Sequence, residues 1–459
     1  MMRRAIFALL LLCLGGAPAA QAVAIKAVTS PGGITAWLVE DHSLPVVTIE
    51  LAFRGGAALD PADRLGLASL ATDLLDEGAG DLDSSAYHGR LEDLATRLSF
   101  WAGEDATGAS MRTVTANLEP SFELLRLALT APRFEAAAMA RVKSQVLASL
   151  AHDERQPRTI ADRYWRSTEF GAHPYARRTR GTVETIGRID ADDLRRFVRD
   201  RFAKDVMIVA VVGDIAPEPL KALLDRTLGA LAAHAAPADV PPLDVRAKGA
   251  VLLARLAIPQ SVVAFGQPGI KRDDPDWYAA YLVNQILGGG GFSARLTEEV
   301  REKRGLAYSV YSALMPMQAG GAIIGSVATE NARVAQSIDI IRAQWQRMRD
   351  QGPTAQELAE AKTYLNGSFP LSLDSTGRIA ATLVQVQRDG LGIDYLDRRK
   401  ALIDGVTLAD AKRVAHRLLD PDALTFVVVG SPPELPGAAR EVTAADTESA
   451  GLPGASLRP

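Results

Sequence analysis

Asp205-Val-Met-Ile-Val-Ala-Val-Val-Gly213 and Asp422-Ala-Leu-Thr-Phe-Val-Val-Val-Gly430 decide the architecture of this 459-residue chain. Each opens on an acidic residue, runs through apolar positions rich in valine and stops at a glycine. Such a run suits a buried strand. The two glycines are 217 residues apart (430 − 213), and the offset holds upstream: Ile186 pairs with Ile403, Ile189 with Val406 and Asp193 with Asp410. Apolar and polar positions also match through two amphipathic helical segments, roughly 190–203 and 407–419. A repeat of about 20–50 residues would mean a solenoid. A period of 217 residues means two whole domains.

The join falls in Ala233-His234-Ala235-Ala236-Pro237-Ala238-Asp239-Val240-Pro241-Pro242, an Ala/Pro-rich stretch with no apolar period. The expected units are 23–235, a linker at 236–248, and 249–432. A Pro-, Gly- and Ala-rich tail, 433–459, is expected to be disordered. In the first unit strands are predicted over 46–53, 98–102 and 110–116, and helices over 64–77, 119–130, 134–152 and 159–170. In the second unit strands are predicted over 261–266, 307–315 and 320–328, and helices over 276–287, 331–349 and 355–368. Strand runs followed by helix runs argue α+β, with helices packed on one face of a mainly antiparallel sheet.

Hydrophobic content of 47% and charged content of 23% are ordinary for a globular protein, and a net charge of −4 gives no footprint for nucleic acid. The N-terminus reads as a secretory leader over 1–22: Arg3 and Arg4, an apolar run from Ala5 to Leu14, and Ala20-Gln21-Ala22 as the cleavage site. The apolar run is too short for a membrane span of about twenty residues. Cys13, the sole cysteine, lies inside the leader, and the preceding Leu12 argues against lipidation. An exported chain without a membrane span is expected, periplasmic if the source is Gram-negative.

Chemistry concentrates in the second unit. A Gly-rich turn, Gly288-Gly289-Gly290-Gly291-Phe292-Ser293-Ala294-Arg295-Leu296, is followed by Arg301-Glu302-Lys303-Arg304-Gly305-Leu306-Ala307-Tyr308. The turn is no phosphate loop, because Phe292-Ser293 stands where Lys-Ser/Thr is required. Taken alone, Arg301 belongs to a charged helix end and Tyr308 is a strand aromatic. Together with the turn and the duplication, these residues resemble the second-half signature of the pitrilysin/insulinase zinc metallopeptidases, in which an Arg and a Tyr seven positions apart touch the substrate at the metal. Arg301 and Tyr308 have that separation. The resemblance implies two homologous α/β-roll domains closed like a clam shell. It also implies that the Tyr308 hydroxyl stabilises the oxyanion while Arg301 holds substrate carbonyls. Gly290, Gly291, Phe292 and Ser293 would line the substrate groove.

The family's zinc helix, Gly-Leu-Ala-His-x-x-Glu-His, reads here Gly66-Leu67-Ala68-Ser69-Leu70-Ala71-Thr72-Asp73. Ser69 and Asp73 take the histidine positions and Thr72 that of the general base. The third ligand aligns with Lys143, or with a residue one helical turn away. Zinc needs deprotonatable ligands and a base beside its water, so no metal is expected in this chain. A remade site using Asp73 and Glu77 is disfavoured, since two exposed carboxylates hold Zn²⁺ weakly. The six histidines contain no H-x-x-x-H pair, and His173 in Gly171-Ala172-His173-Pro174-Tyr175 reads as a packing loop. The resemblance therefore implies a subunit inactive alone. Its partner would be a homologous subunit carrying H-x-x-E-H and the zinc, forming a heterodimer that binds and cleaves peptides. Extended peptides would add to a sheet edge. A catalytically dead homologue serving peptide binding or assembly is the alternative.

Overall fold

The computed structural model describes residues 24–245, 249–437 and 439–443. The leader expected over 1–22 lies outside them, as do residues 246–248 of the linker and most of the tail.

The first half comprises β1 (Lys26–Thr29), β2 (Thr35–Glu40), β3 (Val46–Arg54), α1 (Leu67–Thr72), the short pair β4 (Gly78–Ala79) and β5 (Leu82–Asp83), α2 (Ser84–Asp93), β6 (Arg97–Ala102), β7 (Ala106–Val114), α3 (Leu118–Thr130), α4 (Ala136–Asp153), α5 (Pro157–Phe170), α6 (Val183–Arg188), α7 (Ala191–Arg201), β8 (Met207–Gly213) and α8 (Pro217–Leu228). The second half comprises β9 (Val251–Arg255), β10 (Gln260–Pro268), α9 (Trp277–Asn284), β11 (Ala307–Pro316), β12 (Gly321–Glu330), α10 (Val334–Gln351), α11 (Ala355–Ser368), α12 (Thr376–Arg388), α13 (Tyr395–Asp404), α14 (Leu408–Leu418), β13 (Thr425–Gly430) and β14 (Arg440–Glu441).

Each half builds one sheet, in the orders β1-β2-β8-β3-β7-β6 and β14-β9-β13-β10-β12-β11. The duplicated runs are β8 and β13, which hold the same place: each pairs parallel with one neighbour and antiparallel with the other. The repeated Asp193 and Asp410 have one job. Each sits at the third position of its helix, α7 or α14, and closes a capping box with Asp190 or Thr407.

The valine-rich runs have a physical cause. Successive strand residues point to opposite faces, and both faces are buried. Val209 and Val211 join the core under the first half's own helices, while Ile208, Ala210 and Val212 meet Ala380, Leu383 and Val384 of α12. In the second sheet Phe426 and Val428 face that half's own helices, and Val427 and Val429 meet Ala161, Tyr164 and Trp165 of α5. Each half therefore lends a helix to the other half's sheet. Polar contacts fasten the exchange: Thr48 to Thr376 (2.8 Å), Gln387 Nε2 to the Val209 carbonyl (3.2 Å), and Arg158 to the Tyr311 hydroxyl. The α+β layering read from sequence holds, and the exchanged helix adds a cover on the second face of each sheet.

Two expectations need correction. The tail is ordered at its start, because β14 adds parallel to β9, Val442 is buried, and Glu441 pairs with Arg255 at 2.6 Å. The helix predicted over 64–77 shrinks to α1, with Gly66 at a left-handed φ of 88° before it and Thr72 as its last residue. No helix among the described residues is long and apolar enough to cross a membrane.

Candidate functional site

The Gly-rich turn is framed by two π-helical turns, Gln285–Gly289 and Thr297–Glu302. Such turns are rare and concentrate at functional sites. The predicted helix over 276–287 accordingly gives way after Asn284. Gly288 is required there: a Cβ would lie 2.3 Å from Ser312 Oγ and 2.6 Å from its nitrogen. Below it, Asn284 and Ser312 exchange hydrogen bonds of 3.2 and 2.8 Å. Gly290 offers its carbonyl to the Ser293 hydroxyl (3.0 Å), and Gly291 has a φ of 60°. Ser293 thus closes the turn, and Phe292 is left 71% exposed at its tip.

Arg295 anchors this turn. Its buried guanidinium takes Glu357 in a fork (2.7 and 2.8 Å) and the Gly352 carbonyl (3.0 Å). Burial alone would raise the Glu357 carboxyl, but hydrogen bonds from Arg295 and Thr354 with the Arg295 charge hold it down at about 2. The neighbouring charged run is largely self-satisfied. Glu299 takes both Lys303 (2.8 Å) and Arg304 (2.5 Å).

Arg301 is placed differently. Its guanidinium lies 4.8 Å from the Phe292 ring centre and 5.0 Å from that of Tyr308, with Glu302 3.3 Å from its Nε. The register of β11 against β12 breaks between Ala307 and Val310. Such an irregularity re-aims side chains, and Tyr308 stands 84% exposed at the opening of the edge strand. The structure therefore brings Phe292, Arg301 and Tyr308 together as a solvent-facing cation–aromatic cluster on a buried frame.

In the first half, α1 and α4 face a cleft of about 420 Å³ beside edge strand β6, lined by Thr72, Asp73, Phe100, Val142, Gln145, Val146 and Arg180 among others. The Ser69 hydroxyl donates to the Thr179 carbonyl (2.9 Å), and the buried Thr72 hydroxyl donates to the Ala68 and Ser69 carbonyls (3.1 and 2.9 Å). Asp73 is exposed to the cleft; its carboxyl is raised by partial desolvation and pulled back by the nearby Arg180 charge. Lys143 is not in this cleft. Its ammonium donates to the Ile189 and Gly187 carbonyls behind α4, so the alignment that placed it at a ligand position is corrected. Neighbouring residues of a helix diverge by about 100° around its axis. Val142, Gln145 and Val146 are the α4 residues that face the cleft.

This donor set does not fit Zn²⁺. Its lining offers the carboxylates of Asp73, Asp76 and Glu77, no histidine, the Thr72 hydroxyl committed to the backbone, valines, and the Arg180 guanidinium as a local cation. Two of these carboxylates, Asp76 and Glu77, together with His88 on α2 have donor atoms within 4.8 Å of one another. Glu77 is already engaged by Arg141 and by the Ser84 hydroxyl (2.5 Å). Sequence reasoning missed this group because His88 sits on α2 while Asp76 and Glu77 lie in the turn after α1, and it missed Arg180, whose one signal is the arginine-dense stretch 177–180. His173 is the packing residue expected: Nδ1 accepts from the Tyr175 amide and Nε2 meets the Pro241 carbonyl at 2.8 Å, pinning the linker.

Residues 188–365 match the family model described as Peptidase M16 inactive domain. A crystal structure of the peptidase M16 inactive domain from Pseudomonas fluorescens is 30% identical and superposes with a TM-score of 0.84, covering 90% of this chain and 98% of that one. The chain belongs to the M16 peptidase family. Among M16 relatives, the non-peptidase homolog YmxG of Helicobacter pylori is 27% identical over 392 residues, covering 85% of this chain and 90% of that one. The probable mitochondrial-processing peptidase subunit beta of Schizosaccharomyces pombe is 24% identical over 422 residues, covering 88% and 90%. The first-half cleft, which has Ser69, Thr72 and Asp73 at the family's zinc-helix positions, agrees with the inactive M16 description: this is a pitrilysin/insulinase-like homologue of the non-catalytic kind.

Proposed function

We propose that this M16 homologue is the non-catalytic subunit of an exported two-chain zinc peptidase. It binds peptide and presents Arg301 and Tyr308 to the active site of a zinc-bearing partner. One observation carries the reading: Arg301 is held between the exposed rings of Phe292 and Tyr308, on a frame whose other charges are internally paired. A tyrosine hydroxyl in that position serves an oxyanion only when a metal and a base face it, and in the first half Ser69, Thr72 and Asp73 stand where the family has its histidine pair and its base. The open edge of β6 supplies main-chain groups for an extended peptide. The leader expected over 1–22 carries the chain out of the cytoplasm, into the periplasm of a Gram-negative source.

A tagged chain recovered from its own organism tests this. The expected result is an equimolar homologue bearing H-x-x-E-H whose peptidase activity depends on Tyr308. A second reading, a peptide-binding or assembly subunit with no part in turnover, is favoured by the name non-peptidase homolog given to the Helicobacter pylori relative. Recovery of the chain alone, or a partner indifferent to Tyr308→Phe, would establish that second reading.

A further inference from the structure

A pocket of about 210 Å³ opens at the seam between the halves, lined by none of the first-half cleft residues and none of the Phe292, Arg301 and Tyr308 cluster. The first half contributes Arg54, the last residue of β3, and Asp105 from the β6–β7 turn. The second half contributes Arg388 at the end of α12, Asp389 after it, the Lys271–Asp273 loop and the β11–β12 turn at Gln318.

The charges around this pocket do not balance. Asp105 is used by the Tyr175 hydroxyl and by the Gln318 amide (2.9 Å), and Asp273 lies 3.7 Å from Lys271. That leaves Asp389 facing three guanidiniums. Arg272 lies 3.7 Å from it, packed among the rings of Trp277, Tyr278 and Tyr395. Arg54 and Arg388 make no ion pair within 4.0 Å among the described residues. Arg54 spends two N–H groups on the Arg388 and Gln387 carbonyls (3.0 and 3.1 Å), and Arg388 lies over the Trp101 ring at 5.9 Å. Burial first, and then the nearby Arg388 charge, hold Arg54 below its ordinary value against the pull of Asp389. Guanidinium pairs of this kind match the planar, two-oxygen face of a carboxylate or phosphate.

We infer that this seam pocket binds a small oxyanion, a carboxylate or a phosphate group, between Arg54 and Arg388. The bound group ties the first half's sheet to the end of the helix lent to it. The inference is independent of the peptide reading and survives or fails without it.

Isothermal titration of the full chain with inorganic phosphate and, separately, with succinate tests it, at ionic strength fixed by NaCl. Saturable binding of at least one anion is expected, weakened about tenfold or more by Arg388→Gln through loss of a charged, forked contact. Lys271→Gln, at the rim, is expected to weaken it less. Phosphate binding alone assigns a phosphate group, and succinate binding assigns a carboxylate. Arg388→Gln avoids the folding risk of changing Arg54, which also caps α12. Absence of saturable binding by either anion, or binding that Arg388→Gln leaves unchanged, would overturn the inference.

Discussion

The first-half cleft and the second-half turn occupy two copies of one folding unit, yet they have diverged in opposite senses. In the cleft the polar side chains have turned inward: Ser69 and Thr72 bond to backbone carbonyls, and Arg180 stands beside Asp73. At the turn the supporting charges are paired below the surface, while Arg301, Phe292 and Tyr308 face solvent. Duplication supplied the same scaffold twice. The exposed cation–aromatic cluster is found in the second half.

The sharpest way to break this contrast is to remove the anchor of the turn. Arg295→Ala removes the fork from Glu357, which is partly exposed and keeps its Thr354 hydrogen bonds, so the cost should fall below the about 3–5 kcal/mol of a fully buried pair; urea unfolding should show it, with Tyr308 displaced as a consequence. Tyr308→Phe should do the reverse. It leaves stability within about 0.5 kcal/mol, because the ring is exposed, but lowers the turnover of the assembled peptidase by about 10²–10³. An unchanged rate in steady-state assays would place this turn on the same footing as the cleft.

The first half can be probed through Asp60, buried at the start of α1. Desolvation raises its carboxyl from 3.8 to about 7, against the pull of the Ala68, Gly66 and Leu67 amides and the Arg201 charge. The native state therefore binds the proton more tightly than the unfolded chain. Its stabilising effect is full below about pH 3.8 and is lost as pH rises towards about 7. Thermal unfolding of wild type and Asp60→Asn across that window should show wild type losing ground as pH increases, by a few kcal/mol at most. A constant difference between the two would mean that the amides cancel burial, and a wild type that gains as pH rises would mean that they outweigh it. The smallest effect is a null one. The triple variant Ser69→His, Thr72→Glu, Asp73→His should acquire no stoichiometric zinc by atomic absorption, because Val142 and Val146 still face the cleft and Arg180 supplies a cation there.

Much of the architecture was legible because β8 and β13 are buried on both faces, which forces an unbroken apolar run, and because Asp193 and Asp410 carry the same cap. The Arg301–Tyr308 pairing was legible through spacing and family resemblance, although the break in β11 that exposes Tyr308 was not. The helix exchange was hidden: the amphipathic pattern of α5 declares an apolar face without saying which sheet receives it, and α12 was not identified. Lys143 failed for a geometric reason, since one helical position turns a side chain away from the cleft. The π-turn at Gln285–Gly289 was hidden at the end of the apolar stretch 276–287 and the one at Thr297–Glu302 in a charged run, since neither pattern registers one extra residue in a turn.

The two lent helices have a consequence for how this molecule could come apart. Cutting the segment 237–245 would sever the peptide chain without separating its products, because α5 would stay lodged on the second sheet and α12 on the first. Each fragment expressed alone would lack the cover on one face of its sheet and present valines and alanines to water. What began as a tandem repeat has become a single cooperative object, in which neither copy is any longer a complete domain.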